Sequence, residues 1–121
     1  MNPLDRARQR PERELRNAII QLLRVRYQIP AWPVGVGALP ATYRGATRFV
    51  RLGTPGMADI LAVAPSSCGC GRFLAIEVKS PTGRVRPEQQ MFLDIVNAAG
   101  GLGFVARSLD DVITALEIMR A

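Results

Sequence analysis

Hydrophobic residues recur at the spacing of an amphipathic helix in three segments, and these predict helices over residues 12–27, 87–99 and about 108–119. In the first segment Leu15, Ile19 and Leu23 lie four positions apart, and Pro30 follows as a helix breaker. In the second segment the spacing predicts an inner face formed by Phe92, Ile95, Val96 and Ala99. Gly100 and Gly101 then end that helix.

Short apolar or alternating runs predict the strands, which we expect around Val34–Gly37 and over residues 47–52, 58–64, 72–79 and 102–106. Turn residues separate them, most clearly in the segments 53–56 and 65–71. The resulting order of helix, strands, helix, strand and helix predicts one α/β domain over residues 11–121. Residues 1–10 are polar and basic, and we expect them to form a flexible arm.

Composition excludes several classes of protein. A chain of 121 residues with a 48% apolar fraction fits one folded domain. The apolar runs are too short to span a bilayer and no leader-like segment opens the chain, so we expect a cytoplasmic protein of a bacterium or of a phage-infected host. The absence of His excludes His-based general bases, His-containing triads and His-ligated zinc.

The net charge of +6 predicts attraction to polyanions, of which nucleic acid is the commonest. Fifteen of the sixteen basic residues are Arg and one is Lys79. Codon composition or a hot environment is an alternative explanation for the Arg excess. Cys68 and Cys70 supply half of a zinc site at most, which a second chain would have to complete, and a plain loop or an adventitious disulfide is the alternative.

Three charged residues lie in or beside the predicted strands. Glu77 and Lys79 alternate with Leu74, Ile76 and Val78 and therefore share one face of their strand, about 7 Å apart. A carboxylate in an apolar strand is costly unless it is paired or binds a metal. Two antiparallel strands joined by the turn at 65–71 would bring Asp59 close to Glu77. The alternative is a structural Glu77–Lys79 salt bridge on an exposed face.

Two carboxylates and a backbone carbonyl are hard oxygen ligands of the kind that Mg²⁺ or Mn²⁺ prefers. Asp59, Glu77 and the backbone carbonyl of Val78 are the candidate ligands. A bound cation lowers the pKa of a water ligand and polarises a phosphoryl oxygen. Lys79 would then orient the attacking water or stabilise negative charge that develops on the phosphate.

The segments GTPGMADILAV (53–63) and GRFLAIEVKSPTGRVRPEQQMFLDIVNAAGG (71–101) resemble the VRR-NUC family of the PD-(D/E)xK nuclease superfamily. The resemblance rests on the G-x-x-D element at Asp59, on Glu77-Val78-Lys79 and on the segment from Pro81 to Gln89. It departs at Ala58, where the superfamily has Pro. The resemblance implies a restriction-endonuclease-like fold, a central mixed sheet flanked by helices, and hydrolysis of DNA phosphodiesters with Mg²⁺ or Mn²⁺.

The family also carries a Glu on its first helix. Glu12 and Glu14 are both candidates, but a helical wheel places Glu12 on the same side as Leu15 and Ile19 and turns Glu14 away. We expect Glu12 to be a metal ligand or a water-positioning group, with a helix N-terminal carboxylate as the alternative. Gln89 matches a family Gln and would bond Glu12 or a metal-bound water, or else only begin its helix.

The expected DNA contacts are Arg44, Arg48, Arg51, Thr82, Arg84 and Arg86, with Arg6, Arg8 and Arg10 on the arm. For each Arg a solvated surface charge is the alternative. Trp32 and Tyr43 would stack on unpaired bases or pack beneath the 31–46 loop.

Stand-alone relatives resemble homodimeric Holliday-junction resolvases. We therefore expect a homodimer that cuts branched DNA, because two-fold symmetry supplies two sites at a fixed separation. The alternatives are a nicking or restriction-like nuclease targeted by a partner protein and a DNA-binding module without cleavage activity.

Overall fold

The computed structural model describes residues 3–35, 37–52 and 54–120. Its helices are α1 (Pro3–Gln21), α2 (Pro87–Ala98) and α3 (Leu109–Arg120), and a π-helical turn (Leu22–Arg26) continues α1. Its strands are β1 (Ala31–Pro33), β2 (Gly37–Tyr43), β3 (Ala46–Leu52), β4 (Ile60–Ala64), β5 (Arg72–Val78) and β6 (Leu102–Ala106). Strand β2 has no counterpart among the predicted strands, and the first helix and the first strand differ from their predicted bounds; the other elements lie close to where the sequence predicts them.

Within the described residues the main sheet has the strand order β1-β4-β5-β6. β4 is antiparallel to both β1 and β5, whereas β6 runs parallel to β5. Parallel neighbours need a crossover connection, and α2 provides it between β5 and β6. The structure therefore confirms the predicted α/β class and the mixed sheet flanked by helices.

Strand β5 is buried on both faces because helices cover both of its sides. Leu74, Ile76 and Val78 belong to a core cluster that includes residues of α1 and α3. Ala75, which points to the opposite face, packs in a second cluster with Leu93 and Val96 of α2. The side chain of Glu77 points to this second face, since the side chains of a strand alternate.

Strands β2 and β3 pair with each other in an antiparallel hairpin apart from the main sheet. The turn between them places Arg44 at φ 50° and Gly45 at φ 77°, which is the left-handed pair typical of a tight two-residue hairpin. The strand predicted at Val34–Gly37 is wrong. The 31–46 segment has no clear alternation to mark its strands: Ala31–Pro33 pairs with β4, and Gly37–Tyr43, which was predicted as a loop, pairs with β3.

The first helix begins at Pro3 and contains Pro11, so residues 3–10 of the predicted arm are helical. Proline lacks the N–H that a helix interior uses, and Pro11 therefore removes one backbone hydrogen bond. Pro11 predicts the start of a helix, because proline is common at the first helical position, but here it lies inside the helix. Flexibility of residues 1–10 stays a prediction, and Met1 and Asn2 lie outside the described residues.

The predicted inner face of α2 is wrong at Ile95 and Ala99, which are exposed, and it omitted Leu93, which is buried. Leu93 and Val96 are the buried residues of this helix, and they pack against Ala58 and Ala75. None of the helices in the described part of the chain has both the length and the hydrophobicity that a membrane crossing requires.

Candidate active site

Asp59 and Glu77 meet where β4 begins and β5 ends. Ile60 pairs with Ile76, so Asp59 directly precedes the paired part of β4. Its Oδ2 accepts a hydrogen bond from the backbone N–H of Val78 at 2.8 Å. The Asp59 carboxylate thus binds the last residue of β5 where the backbone pairing of β4 has ended. The predicted approach of Asp59 to Glu77 through an antiparallel hairpin is what the fold produces.

Glu77 is almost fully buried, with 2% of the residue exposed. Its Oε1 accepts a hydrogen bond from Nε2 of Gln89 at 3.0 Å and lies 3.7 Å from Nζ of Lys79. Its Oε2 is buried and has no hydrogen-bond partner among the described residues. A buried carboxylate oxygen without a donor is unfavourable, so this oxygen is free to accept a proton or a cation.

The surroundings of Glu77 disfavour its ionised form. The pKa of Glu77 is raised to about 8, first by burial and then by the neighbouring Asp59 carboxyl, which lies within hydrogen-bonding reach. Lys79 lowers the pKa of Glu77, and Glu12 raises it. Two adjacent carboxyl groups repel when both are ionised. A shared proton or a bound cation removes that repulsion.

A divalent cation fits this pair of carboxylates. Both groups supply hard oxygen atoms, and one of these oxygens has no donor. Within the described residues no three Asp, Glu or Cys side chains group closely enough to hold an ion without other ligands. Mg²⁺ commonly binds one or two carboxylates and keeps several waters, so a two-carboxylate site suits it. The Val78 carbonyl stays a predicted ligand.

Glu12 approaches the same edge of the sheet from α1. Its Oε1 accepts a hydrogen bond from the backbone N–H of Ser80 at 3.2 Å. Glu12 is half-buried and Glu14 is exposed, as the helical wheel predicts. One carboxylate oxygen of Glu12 is therefore used to hold the backbone just beyond Lys79. A role for Glu12 as a metal ligand stays a prediction.

Gln89 connects the first turn of α2 to Glu77. Its Nε2 donates to Glu77, and its Oε1 accepts a hydrogen bond from the backbone N–H of Arg86 at 2.9 Å. A side chain at the third helical position that reaches back to the residue before the helix also stabilises the helix start. The predicted partner of Gln89 is Glu12 or a metal-bound water, whereas in the structure its Nε2 donates to Glu77.

Gly56 keeps the Asp59 loop close to α2. Its φ of +86° lies in the left-handed region, and an added Cβ would lie 2.6 Å from the backbone oxygen of Glu88. Only glycine combines this backbone angle with so close an approach. The sequence marks a turn here, but the contact with α2 depends on the tertiary fold.

Arg107 is a residue of this region that sequence reasoning missed. Its Nη1 donates to the backbone carbonyls of Ser80 and Gly83, at 2.7 Å each. Ala106 pairs in parallel with Val78, so Arg107 leaves the sheet at the same edge as Lys79. No local sequence pattern signals this position, because it depends on the parallel pairing of β5 with β6, which places the carboxyl ends of the two strands together.

The predicted DNA contacts fall in two places. Thr82, Arg84 and Arg86 are exposed in the loop between Lys79 and α2, and Arg86 lies 3.9 Å from the Glu88 carboxylate. Arg44 is exposed at the β2–β3 turn.

Several predicted contacts lie beyond the described side chains. Arg48 and Arg51 lie in strand β3, but their side chains are outside the described part of the structure. The same holds for the side chain of Tyr43 and for the side chains of residues 1–10. Trp32 is half exposed, so its stacking on a base stays a prediction.

A pair of carboxyl groups, one of them buried, with an adjacent lysine at the end of a strand in an α/β sheet is the arrangement of a PD-(D/E)xK-type nuclease fold. The family model for the VRR-NUC domain matches residues 10–110. The chain therefore belongs to the VRR-NUC family; it is a nuclease, and its substrate is DNA. Comparison with curated proteins and comparison with solved structures gave no match.

Proposed function

We propose that the protein is a Mg²⁺- or Mn²⁺-dependent endonuclease that hydrolyses DNA phosphodiesters at the Asp59–Glu77 site. The observation that supports this most directly is the buried Glu77 carboxylate, whose Oε2 has no donor among the described residues and whose neighbour is a second carboxyl group. A purely structural salt bridge with Lys79 would leave that oxygen and that repulsion unexplained.

Asp59 and Glu77, together with the carbonyl of Val78, are the proposed ligands. When bound, the ion would supply charge stabilisation at a phosphoryl oxygen and a more acidic water. The Nζ of Lys79 is 3.7 Å from Glu77 Oε1, and it would hold the attacking water or stabilise the phosphate charge. Gln89 would fix the orientation of Glu77 through its 3.0 Å hydrogen bond.

DNA would bind along the exposed residues that surround this edge. Thr82, Arg84 and Arg86 leave the site on the loop that follows Lys79. From the β2–β3 hairpin, the side chains of Arg44, Arg48 and Arg51 are proposed to contact the phosphate backbone of the DNA. Because each neutralised phosphate releases counterions, binding should weaken steeply as salt concentration rises.

The finer form of the proposal is a homodimer that cuts branched DNA such as a four-way junction. One copy carries one Asp59–Glu77 pair, and a two-fold dimer would supply a second pair for the opposite strand. Cleavage rates on equal concentrations of duplex, nicked, flap and four-way substrates test the preference. A higher rate on the junction and a dimeric mass in solution are expected.

Glu77→Gln and Asp59→Asn test the site. Both variants should still bind DNA but cleave it at least about a thousandfold more slowly in Mg²⁺ or Mn²⁺, since a loss of several kcal/mol of transition-state stabilisation is expected. Glu117→Gln, on the exposed side of α3, is the matched control and should cleave normally.

Two outcomes would contradict the proposal. Normal cleavage by Glu77→Gln would place the chemistry elsewhere. DNA binding by the parent protein without cleavage in either metal would favour the non-cleaving module, whereas cleavage that requires an added protein would favour the partner-targeted nuclease.

A further inference from the structure

We propose that Arg107 is a positioning residue of the nuclease site, which acts by holding the turn Ser80–Gly83 immediately beyond Lys79. This inference rests on the proposed function, because it assumes that Lys79 and the neighbouring carboxylates carry out the chemistry. The supporting observation is the hydrogen bonding of one guanidinium nitrogen to both ends of that turn.

The turn closes through a backbone hydrogen bond from the N–H of Gly83 to the carbonyl of Ser80, at 3.1 Å. Nη1 of Arg107 donates to that same carbonyl and to the carbonyl of Gly83, at 2.7 Å each. Hydrogen bonds from a charged donor are stronger than neutral ones, and at this length they fix the acceptors firmly. Arg107 therefore specifies the shape of the turn more than the turn's own single hydrogen bond does.

The backbone of Arg107 is itself held at a rigid corner. Its N–H donates to Oδ2 of Asp111 at 2.8 Å, and the N–H of Asp111 is bonded to Oγ of Ser108 at 3.2 Å. The first bond joins the end of β6 to the first turn of α3, and the second satisfies one of the N–H groups that a helix start leaves unpaired. The guanidinium thus projects from a backbone whose position is fixed by the sheet and by a helix.

The turn in question also contacts Glu12 and Lys79. The backbone N–H of Lys79 bonds to the carbonyl of Ala106 at 3.0 Å, and that of Ser80 bonds to Glu12 at 3.2 Å. An added Cβ on Gly83 would lie 3.5 Å from Oε1 of Glu12, so the far end of the turn also adjoins this carboxylate. A shift of the turn would therefore displace Glu12 and the chain that carries Lys79.

A small shift of Glu12 and Lys79 should affect turnover more than DNA binding, because reacting groups tolerate little misplacement in the transition state. Arg107→Ala should lower kcat for DNA cleavage by about tenfold to a hundredfold, with a smaller effect on KM. Arg107→Lys keeps the charge and a donor, so it should recover part of the lost kcat.

Arg24 offers a matched control. Its Nε and Nη2 both donate to the carbonyl of Ala31, at 3.0 and 2.6 Å, so it too is an arginine that holds backbone. Ala31 pairs with Ala62 in β4, three residues after Asp59. The backbone that Arg24 holds is therefore not the turn beyond Lys79. Arg24→Ala removes the same charge and a comparable pair of hydrogen bonds, and its kcat should stay within about twofold of the parent value when measured below its unfolding temperature.

A double-mutant cycle that combines Arg107→Ala with Glu12→Gln tests whether both residues act on kcat through the turn Ser80–Gly83. If Arg107 and Glu12 act through one turn, the loss of kcat in the double variant should be smaller than the product of the two single losses. Independent losses that multiply would overturn the shared route.

The inference fails if Arg107→Ala keeps its kcat, if only KM and the salt dependence change, or if Arg24→Ala loses as much kcat as Arg107→Ala. If Arg107→Ala does not fold, Arg107→Lys compared with Arg24→Lys decides by the same criteria. Failure of the proposed function looks different: the parent protein then shows no metal-dependent cleavage, or Glu77→Gln cleaves normally. The two failures are therefore separable in one set of assays.

Discussion

The two ends of the β4–β5 hairpin both carry reactive groups, but in opposite environments. At one end Asp59, Glu77 and Lys79 meet, and both Glu77 and Lys79 are buried. At the other end the turn at 65–71 carries Cys68 and Cys70 as free, exposed thiols. Both ends therefore present ionisable groups, and they differ mainly in access to water.

At the buried end, loss of water changes the pKa of Glu77 strongly. At the exposed end, the two thiols shift the pKa values of each other. Burial, together with the adjacent Asp59 carboxyl, raises the pKa of Glu77 to about 8, against an ordinary value of 4.5. At the exposed end hydrogen bonds, chiefly from the Cys70 thiol, lower the pKa of Cys68 to about 7, and the pKa of Cys70 is raised in turn. The comparison indicates that desolvation and convergence of several elements distinguish a candidate active site from an exposed reactive pair.

Among the variants that compare the two ends of this hairpin, Lys79→Ala should lose the most activity. This variant should retain metal binding yet lose about a hundredfold or more of kcat, because it removes orientation of the water or charge stabilisation rather than a ligand. Cleavage rates and Mn²⁺ calorimetry measure the two properties. Arg72→Ala removes a positive charge at the opposite end of β5 and should cleave normally; equal losses in both variants would contradict a specific role for Lys79.

The stability of the metal-free protein should depend on pH through Glu77. Its pKa is higher in the folded protein than its ordinary value of 4.5, so the folded state binds more protons between pH 4.5 and about 8. The free energy of unfolding should therefore be highest below about pH 4.5 with respect to this group and fall as pH rises to 8, by about 1.4 kcal/mol per pH unit at most.

Urea unfolding with a chelator between pH 5 and 9 measures this slope. Glu77→Gln cannot ionise and should flatten it, and saturating Mg²⁺ should also flatten it in the parent protein. An unchanged slope in Glu77→Gln would assign the pH dependence to other groups.

Substitution of one glycine near each end of the hairpin tests how closely the backbone packs there. Gly56→Ala combines a positive φ with a Cβ 2.6 Å from the Glu88 carbonyl oxygen, and should destabilise the protein by about 2–4 kcal/mol while slowing cleavage. Gly69→Ala has a similar φ of +77° but nothing within 4 Å, and should cost only about 1 kcal/mol with normal cleavage. Unfolding and cleavage assays measure both; equal effects would contradict the close packing at Gly56.

The smallest expected effect concerns the thiols. Cys68 should react with iodoacetamide severalfold faster than Cys70 at pH 7, because more of it is thiolate. Cys70→Ala removes the thiol donor and should slow the reaction of Cys68 toward that of an ordinary cysteine, without changing DNA cleavage. Mass spectrometry of the alkylated protein measures the rates. Equal rates at both thiols would contradict the difference in pKa.

Much of the fold was predictable because local patterns and tertiary packing agree. The strand at 102–106 and the helix after it follow from apolar spacing and turn residues, and both are confirmed. The start of α1 was not predictable, because Pro11 is a common first residue of a helix and here lies inside one. The inner face of α2 was partly wrong because helical spacing does not show which side of the apolar stripe the sheet covers: Leu93 is buried and Ile95 is exposed.

The sequence predicted which residues form the candidate site better than it predicted their hydrogen-bond partners. The alternation of β5 and the hairpin after β4 were enough to bring Asp59 to Glu77. The partner of Gln89 and the contact of Glu12 with Ser80 depend on where two helices cross the end of the sheet. Arg107 was missed because the parallel register of β5 and β6, which brings it beside Ser80, has no signature in local sequence.

The sequence by itself determined the types of element, the alternation that sets Glu77 and Lys79 against an apolar face, and the family to which the chain belongs. Only the tertiary structure decided that Glu77 is buried with one oxygen lacking a donor, and that Arg107 holds the turn beyond Lys79. The physical reason is that periodicity is a property of neighbouring residues, whereas desolvation and hydrogen bonding across the sheet depend on residues distant in the chain.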